Sequence, residues 1–389
     1  MPAKRAVEEN QAAVATRAAT RRKRERRDEE KTDTAKIDGR FLVRGGVGTV
    51  RATQMVDSGA LANDGPRLRA RLRRDGYALL RGFLDARAVE KARAVALEAL
   101  AELRPEAFVS NPSARAKGLL RPDARALGLL ARQDVAARAE IRDVTECDAL
   151  FRLAARVLFS ADDADDADAT KGRAMTAAYK WLRAVAGGEF TGVHTDRVFL
   201  GGGSARLVTV WIPLGDVRVV DGALMVAAGS HADATFAGVR RTYGASAAGP
   251  DGARSGWLTD DAAAVLAVAR RANRASSDAR SAASDGGGGD DDEIEASDGT
   301  RVDAHEKRPA VSNDTAIDWR TCDFRSGDVV LLALDVVHMS LANVSGEESG
   351  VPRARVSVDT RWQPEGDDPD PRVRVWRRQR EGAVETVTL

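Results

Sequence analysis

The feature that most constrains the fold is a succession of short apolar segments after Met175, separated by turns of Gly, Asp and Ser. The segments are AYKWLRAV, VTVWIPLGDV, ALMVAA, DVVLLALDVVHMS and RARVSVDTRWQP, all rich in residues that strands favour. Short strands between regular turns are typical of an all-β unit. We therefore expect a split β-barrel in this part of the chain.

Helices are predicted before this β-rich part. The segment YALLRGF, at residues 77 to 83, is typical of a buried strand, and Asp85 can cap a following helix. One face of that helix would be apolar, because apolar residues recur there at three- and four-residue steps. These residues are Val89, Ala92, Ala96, Ala99, Leu100 and Leu103. A second helix is predicted from 148 to 159, so the fold class is mainly β with flanking helices (α+β).

The charge and composition of the chain vary along its length. Residues 1–66 are charge-dense, with few large apolar residues, and are predicted to be a disordered arm. Residues 67–389 are predicted to form one domain. An insertion at about 238–314 interrupts this domain, because SSDARSAASDGGGGDDDEIEASDGT cannot support a packed core. A short helix is expected within the insertion at 262–272.

Overall composition narrows the class of partner. The 60 Lys and Arg residues balance 59 Asp and Glu residues, so we expect no nucleic-acid partner, although the basic run in the arm leaves nuclear or organelle targeting open. Only Cys147 and Cys322 are present, which favours an intracellular, cytoplasmic protein. No apolar run is long enough to span a membrane. A small-molecule partner is expected, and the oligomeric state is not predicted.

Two of the four histidines have neighbours suited to a metal. In GEFTGVHTDRVF, His194 and Asp196 are two residues apart, so both side chains project from the same face if this segment is a strand. His338 follows the second long apolar segment. Two imidazoles and one carboxylate form the facial triad of non-haem Fe(II) oxygenases. An HxD pair also occurs by chance, and its simpler interpretation is a hydrogen-bonded pair at a strand end.

The strand RARVSVDTR supplies a second signal. Its alternate residues Arg353, Arg355 and Ser357 are expected to point to one side. An arginine beside a hydroxyl suits the distal carboxylate of 2-oxoglutarate, because a guanidinium binds a carboxylate through two parallel hydrogen bonds. The alternative interpretation is that these arginines are surface charges on an edge strand.

Together these segments resemble the phytanoyl-CoA dioxygenase family. The resemblance covers most of residues 75 to 365 apart from the insertion, and includes DGYALLRGFLDARAVEKAR, YKWLRAVAGGEFTGVHTDRVF, DGALMVAAGSH, SGDVVLLALDVVHMSLANVS and RVSVDTRWQP. It implies a double-stranded β-helix (jelly-roll, cupin-like) core. It also implies a dioxygenase that uses Fe(II), 2-oxoglutarate and O₂ to hydroxylate a small organic substrate, with release of succinate and CO₂.

The resemblance implies roles for individual residues. His194, Asp196 and His338 would bind Fe(II), and an arginine after His338 would bind 2-oxoglutarate. Family members place this arginine either four or two residues before the matching serine, which points to Arg353 or Arg355. We favour Arg355 with Ser357.

Two further residues are candidate cosubstrate contacts. Trp211 matches a family position beside 2-oxoglutarate, although a core aromatic is an equal interpretation. Lys180 lies on the segment that leads into the triad. His231, in the GSH turn, is interpreted as structural or pocket-lining.

Other functions compete with hydroxylation. A zinc hydrolase could use the same His₂-carboxylate set, but it would not need an arginine and a serine on the next strand. A catalytically silent barrel could act as a binding module. The resembling family also includes halogenases that lack the carboxylate ligand, and the presence of Asp196 favours hydroxylation.

Overall fold

The computed structural model describes residues 36–43, 46–159, 172–241, 256–284, 317–380 and 382–388. Within these ranges the chain forms fourteen strands. They are β1 (Lys36–Val43), β2 (Gly46–Gln54), β3 (Tyr77–Leu80), β4 (Ala174–Ala177), β5 (Trp181–Val185), β6 (Thr191–His194), β7 (Val208–Pro213), β8 (Leu224–Ala227), β9 (Trp319–Thr321), β10 (Val329–Ala333), β11 (His338–Ser340), β12 (Arg355–Pro364), β13 (Val375–Arg380) and β14 (Ala383–Thr388).

Ten α-helices lie in the same ranges. They are α1 (Gly65–Asp75), α2 (Ala86–Leu103), α3 (Pro112–Ala116), α4 (Gln133–Ala136), α5 (Ala139–Thr145), α6 (Asp148–Leu158), α7 (Arg197–Leu200), α8 (Ala237–Arg240), α9 (Val265–Ser284) and α10 (Ser345–Ser349). In the described part of the chain, no helix combines the length and the apolar character that crossing a bilayer requires.

The strands form two sheets. The small sheet has the order β1-β2-β9-β8-β11-β6, and the large sheet has the order β14-β13-β4-β12-β7-β10-β3, with β5 also paired to β12. Between β6 and β12 the chain passes repeatedly from one sheet to the other, as in a jelly roll. The predicted fold class is confirmed, in the form of two sheets and not of a closed barrel.

Successive side chains along the central strands point alternately to the two faces of the large sheet, and this determines which side chains lie between the sheets. On β10, Val329 and Leu331 pack against the helices, whereas Val330 and Leu332 pack against the small sheet. On β12 the helix-facing positions are apolar except for Thr360, and they include the fully buried Trp362. The opposite face of β12 is polar although it is buried. Because buried polar side chains need partners, this face indicates a site between the sheets.

Helices that precede β4 in the chain cover the outer face of the large sheet. Asp85 accepts a hydrogen bond from the backbone N–H of Arg87 over 2.8 Å and so caps α2, as predicted. The predicted apolar face of α2 is buried from Val89 to Leu100. Leu103 differs, since it is 37% exposed. It is the last residue of α2.

The ordered fold extends beyond the predicted domain boundaries at two places. Strand β2 pairs with β9 in parallel, and Val50 and Ala52 are buried, so part of the predicted arm belongs to the small sheet. The insertion contributes residues 256–284, including α9, which replaces the short helix predicted at 262–272. Val265 and Ala269 of α9 are buried against the small sheet. Residues 1–35, 242–255 and 285–316 lie outside the described residues.

Candidate active site

Three of the predicted site residues meet between the sheets. His194 ends β6 and His338 begins the neighbouring strand β11, and the two are directly paired across the ladder. Asp196 follows two residues after His194, at the start of α7. All three side chains are buried, and one potential ligand atom from each lies within 4.8 Å of the others. This group can hold one metal ion.

Backbone carbonyls orient both imidazoles. Nδ1 of His194 lies 2.8 Å from the carbonyl oxygen of Gly192, and Nδ1 of His338 lies 3.0 Å from that of Val336. With Nδ1 donating, the lone pair of each ring is on Nε2. Burial, together with the neighbouring His338, lowers the pKa of His194 to about 3. The neutral ring required of a metal ligand is therefore the stable form.

The carboxylate of Asp196 is held from two sides. Arg361 of β12 donates from Nη2 to Oδ1 over 2.9 Å, and Thr209 of β7 donates to Oδ2 over 2.5 Å. Burial opposes ionisation of Asp196, but the Arg361 guanidinium, the two imidazoles and the Thr209 hydroxyl together outweigh it and hold the carboxyl pKa below its usual range. Both partners come from the large sheet, and neither was predicted from the sequence.

Arg355 begins the polar face of β12 in a narrow cavity beside His338. It is 3% exposed, and its Nη1 donates to Oγ of Ser357 over 2.7 Å. Its Nε and Nη2 are buried and have no hydrogen-bond partner among the described residues. Burial, with Arg183 nearby, lowers the pKa of Arg355 to about 10. Burying a guanidinium with unused donors is unfavourable. The edge of Arg355 formed by Nε and Nη2 is therefore suited to bind a carboxylate ligand.

Trp211 lines the same cavity. It lies on β7 opposite Asp359 of β12, and its ring packs edge-on against Phe324 with 4.7 Å between centroids. Trp211 is therefore both a core aromatic and a cavity wall, and its contact with 2-oxoglutarate stays a prediction.

Two predicted cosubstrate contacts lie elsewhere. Arg353 precedes β12 and does not share the face of Arg355; its Nη2 donates to Asp221 over 2.5 Å. Lys180 is buried, but its Nζ donates to the carbonyl oxygen of Ala177 over 2.6 Å and pairs with Glu146 at 3.2 Å. Both side chains are therefore paired with protein groups and do not line the cavity beside Arg355, and their contact with 2-oxoglutarate stays a prediction.

Of the other two histidines, only His231 lies among the described residues, and it is not part of the metal-binding group. Nε2 of His231 lies 2.9 Å from the carbonyl oxygen of Arg73, next to Gly76, and this position fits the predicted structural role. His305 lies outside the described residues.

A wider cavity of about 650 Å³ adjoins the metal-binding group. Its lining includes four aromatic side chains: Trp181, Phe190, Phe199 and Trp257. Arg183 and Arg361 line both this outer cavity and the narrow one beside Arg355. A volume of this size suits a small organic ligand. Arg361 and Asp359 could have been found in the sequence, because they continue the alternation of Arg355 and Ser357.

The ordered start of the insertion forms one wall of the outer cavity. Val193 of β6 donates to the carbonyl oxygen of Thr259 over 2.9 Å, and Leu258 donates back to that of Val193 over 2.7 Å. This bridge brings the Trp257 ring to within 5.6 Å of the Phe190 ring, centroid to centroid. A Cβ at Gly192 would lie 2.4 Å from the Trp257 ring, so a glycine is needed there.

Comparison with known proteins gives one family match. The model of the family described as phytanoyl-CoA dioxygenase matches residues 72–349. No curated protein matches the chain significantly. Similar solved structures include the epimerase SnoN, in complex with Fe³⁺, α-ketoglutarate and nogalamycin RO, at 17% identity over 79% of this chain and 87% of that one, with a TM-score of 0.41. The α-ketoglutarate-dependent carbocyclase SnoK is 16% identical over 80% and 88% (TM-score 0.43), and AviO1 from Streptomyces viridochromogenes Tue57 is 18% identical over 79% and 98% (TM-score 0.40).

Proposed function

This chain belongs to the phytanoyl-CoA dioxygenase family, and on that premise we propose that it hydroxylates a small organic substrate at a site built on His194, Asp196 and His338. The family assignment makes it a 2-oxoglutarate-dependent oxygenase that uses Fe(II) and O₂. The proposal concerns the reaction outcome and the residues that carry it.

The metal would be held by Nε2 of both histidines and by the carboxylate of Asp196. Three protein ligands on one side leave three positions for 2-oxoglutarate and O₂. When bound, Fe(II) and 2-oxoglutarate supply the oxygen chemistry, in which 2-oxoglutarate becomes succinate and CO₂ and one oxygen atom enters a C–H bond of the substrate. Thr209 and Arg361 would keep the carboxylate in place.

The observation that carries the proposal is the edge of Arg355 formed by Nε and Nη2, which lies beside the metal-binding group and has no hydrogen-bond partner in the described part of the chain. In our proposal this edge binds the distal carboxylate of 2-oxoglutarate, and Ser357 fixes the guanidinium through Nη1. A zinc hydrolase would use the same three metal ligands but would leave the buried Arg355 without a partner. The carboxylate at Asp196 supports hydroxylation over halogenation.

Anaerobic titration of the full chain with Fe(II) and 2-oxoglutarate tests the proposal. We expect the charge-transfer absorption of the metal chelate in the wild type and in His231→Ala, and its loss in His194→Ala. The two substitutions are matched, since each removes one imidazole that is oriented by a backbone carbonyl. Absence of the band in the wild type, with Zn(II) retained, would favour the hydrolase. A band without succinate formation after O₂ is admitted would favour a silent binding module.

A further inference from the structure

The charged side chains that line the outer cavity and the narrow cavity beside Arg355 include more arginines than aspartates near the metal-binding group. Three arginines, Arg183, Arg355 and Arg361, face two carboxylates, Asp196 and Asp359. Fe(II) carries two positive charges and 2-oxoglutarate two negative ones, so loading the site with both leaves one positive charge in excess. An excess charge with little access to water is unfavourable unless a counter-charge arrives.

The other acidic side chain in the described lining of the outer cavity, Glu189, has partners of its own. Its two carboxylate oxygens accept hydrogen bonds from the backbone N–H groups of Ala126, at 2.5 Å, and Ala186, at 2.9 Å. Both oxygens are therefore committed to the backbone, and among the described residues Glu189 forms no hydrogen bond or ion pair with Arg183 or Arg361.

Arg361 retains donors that nothing in the described chain uses. One Nη2 bond goes to Asp196, and the guanidinium lies 4.4 Å from the Trp181 ring centroid. Its Nε and Nη1 are buried and have no hydrogen-bond partner among the residues that the structure describes. Arg183 donates from Nε to Asp359 over 3.2 Å, and its side chain is 25% exposed where the two cavities meet. Both cations are thus available to a ligand beside the metal site.

The rest of the outer cavity is suited to an apolar body. Trp181, Phe190 and Phe199 line it from the main fold, and Trp257 lines it from the insertion. Large aromatic side chains bind planar or apolar groups through burial of their faces. The outer cavity therefore offers both cationic groups and aromatic surface to a ligand.

We propose that the substrate is an organic monoanion, with a carboxylate or comparable group bound by Arg183 and Arg361 and an apolar body held among the aromatic side chains. This rests on the proposed function, because the excess charge is counted with Fe(II) and 2-oxoglutarate bound. The anionic group would fix the orientation of the substrate, and the aromatic walls would set the position of the C–H bond near the metal.

The test uses binding without turnover. The full chain is loaded anaerobically with Fe(II) and saturating 2-oxoglutarate, and the chelate band shows that loading has succeeded. A series of ω-phenylalkanoic acids and their neutral primary amides is then titrated by calorimetry. We expect at least one acid to bind roughly tenfold or more tightly than its amide, as a charge-assisted hydrogen bond would give.

Variants locate the preference. Arg183→Gln should reduce the difference between acid and amide, because only Arg361 is then left to bind the anionic group; Arg183→Lys should keep most of the difference, and Trp257→Ala should weaken acid and amide alike. Equal binding of acids and amides by the wild type, or no binding by any acid, overturns the proposal, and so does an acid preference in Arg183→Gln as large as that of the wild type. Loss of the chelate band when an acid is added also overturns it, because the acid has then replaced 2-oxoglutarate. Absence of the band before any acid is added is a failure of the proposed function instead.

Discussion

Arg361 donates a hydrogen bond to Asp196 over 2.9 Å, although the two residues are 165 positions apart in the sequence. Arg361 lies on β12 of the large sheet, and Asp196 follows β6 of the small sheet. The bond joins the two sheets at the point where the metal-binding group forms. The carboxylate is therefore oriented by the sheet opposite to the one that carries both histidines.

Removing the second partner of this carboxylate should weaken metal binding. Thr209→Val keeps the shape of the side chain but deletes the hydroxyl that donates to Oδ2 of Asp196. We expect the Kd for Fe(II) to rise roughly tenfold, since groups that orient a ligand typically contribute this much to metal affinity. Anaerobic Fe(II) titration measures the effect. Thr209→Ser, which retains a hydroxyl, should bind Fe(II) nearly as the wild type does; an unchanged Kd in Thr209→Val would contradict the prediction.

Arg355 and Arg353 offer a matched pair for the cosubstrate site. Arg355→Gln should raise the KM for 2-oxoglutarate by roughly ten- to a hundredfold, because it removes a buried charge-assisted contact. Arg353→Gln should change this KM little, since its guanidinium is 30% exposed and paired with Asp221. Succinate formation at varied 2-oxoglutarate gives both values. Equal effects of the two substitutions would mean that Arg355 is not the cosubstrate residue.

Lys180 should contribute a pH dependence of stability. Burial lowers its pKa from 10.5 to about 8, and this exceeds the opposing effect of Glu146. Between these two pH values the folded state binds fewer protons than the unfolded state, so the contribution of Lys180 to the free energy of unfolding rises with pH. Urea unfolding at about pH 8 and about pH 10 should show a rise in the wild type relative to Lys180→Met. A wild type that loses stability relative to the variant over this window would refute the assignment.

The same substitution separates Lys180 from the active site. Its Nζ contacts Thr176, Ala177 and Glu146, and not the cavity beside Arg355. Glu146 keeps Arg142 and Arg377 as partners when Lys180 is replaced. We therefore expect an unchanged KM for 2-oxoglutarate in Lys180→Met. A large increase would support the role that its sequence position suggested.

Helix α2 provides a test of the core. Leu100 is fully buried between the helix and the large sheet, whereas Leu103, one turn later, is 37% exposed. Leu100→Ala should lower the free energy of unfolding by about 2–5 kcal/mol, and Leu103→Ala by less than about 1 kcal/mol. Chemical denaturation of both variants measures the difference. Similar losses would show that Leu103 is covered in solution.

The metal-binding group was largely predictable from the sequence. His194 and Asp196 are two residues apart, at the end of β6 and the start of α7, and His338 follows an apolar strand, so spacing and residue chemistry identified the three side chains. The alternation on β12 also contained Asp359 and Arg361, because each lies an even number of residues from Arg355. Following the two-residue alternation for four positions beyond Ser357 would have identified both residues.

Other features needed the tertiary structure. Arg353 and Arg355 are two residues apart and so fit the same alternation in the sequence. However, β12 begins at Arg355, so only the Arg355 side chain projects from the inner face of this strand. Lys180 precedes β5, and its side chain packs towards Glu146. Trp257 lies in a segment with no strand-like pattern of its own, and it reaches the cavity through a bridge to Val193.

The sequence by itself determined the fold class and the three candidate metal ligands, because these depend on apolar periodicity and residue chemistry along single strands. Only the tertiary structure decided which arginine enters the cosubstrate cavity, how the carboxylate of Asp196 is held and which aromatic residues surround the outer cavity. The physical reason is that these contacts join strands of opposite sheets, where distance along the chain says nothing about distance in space.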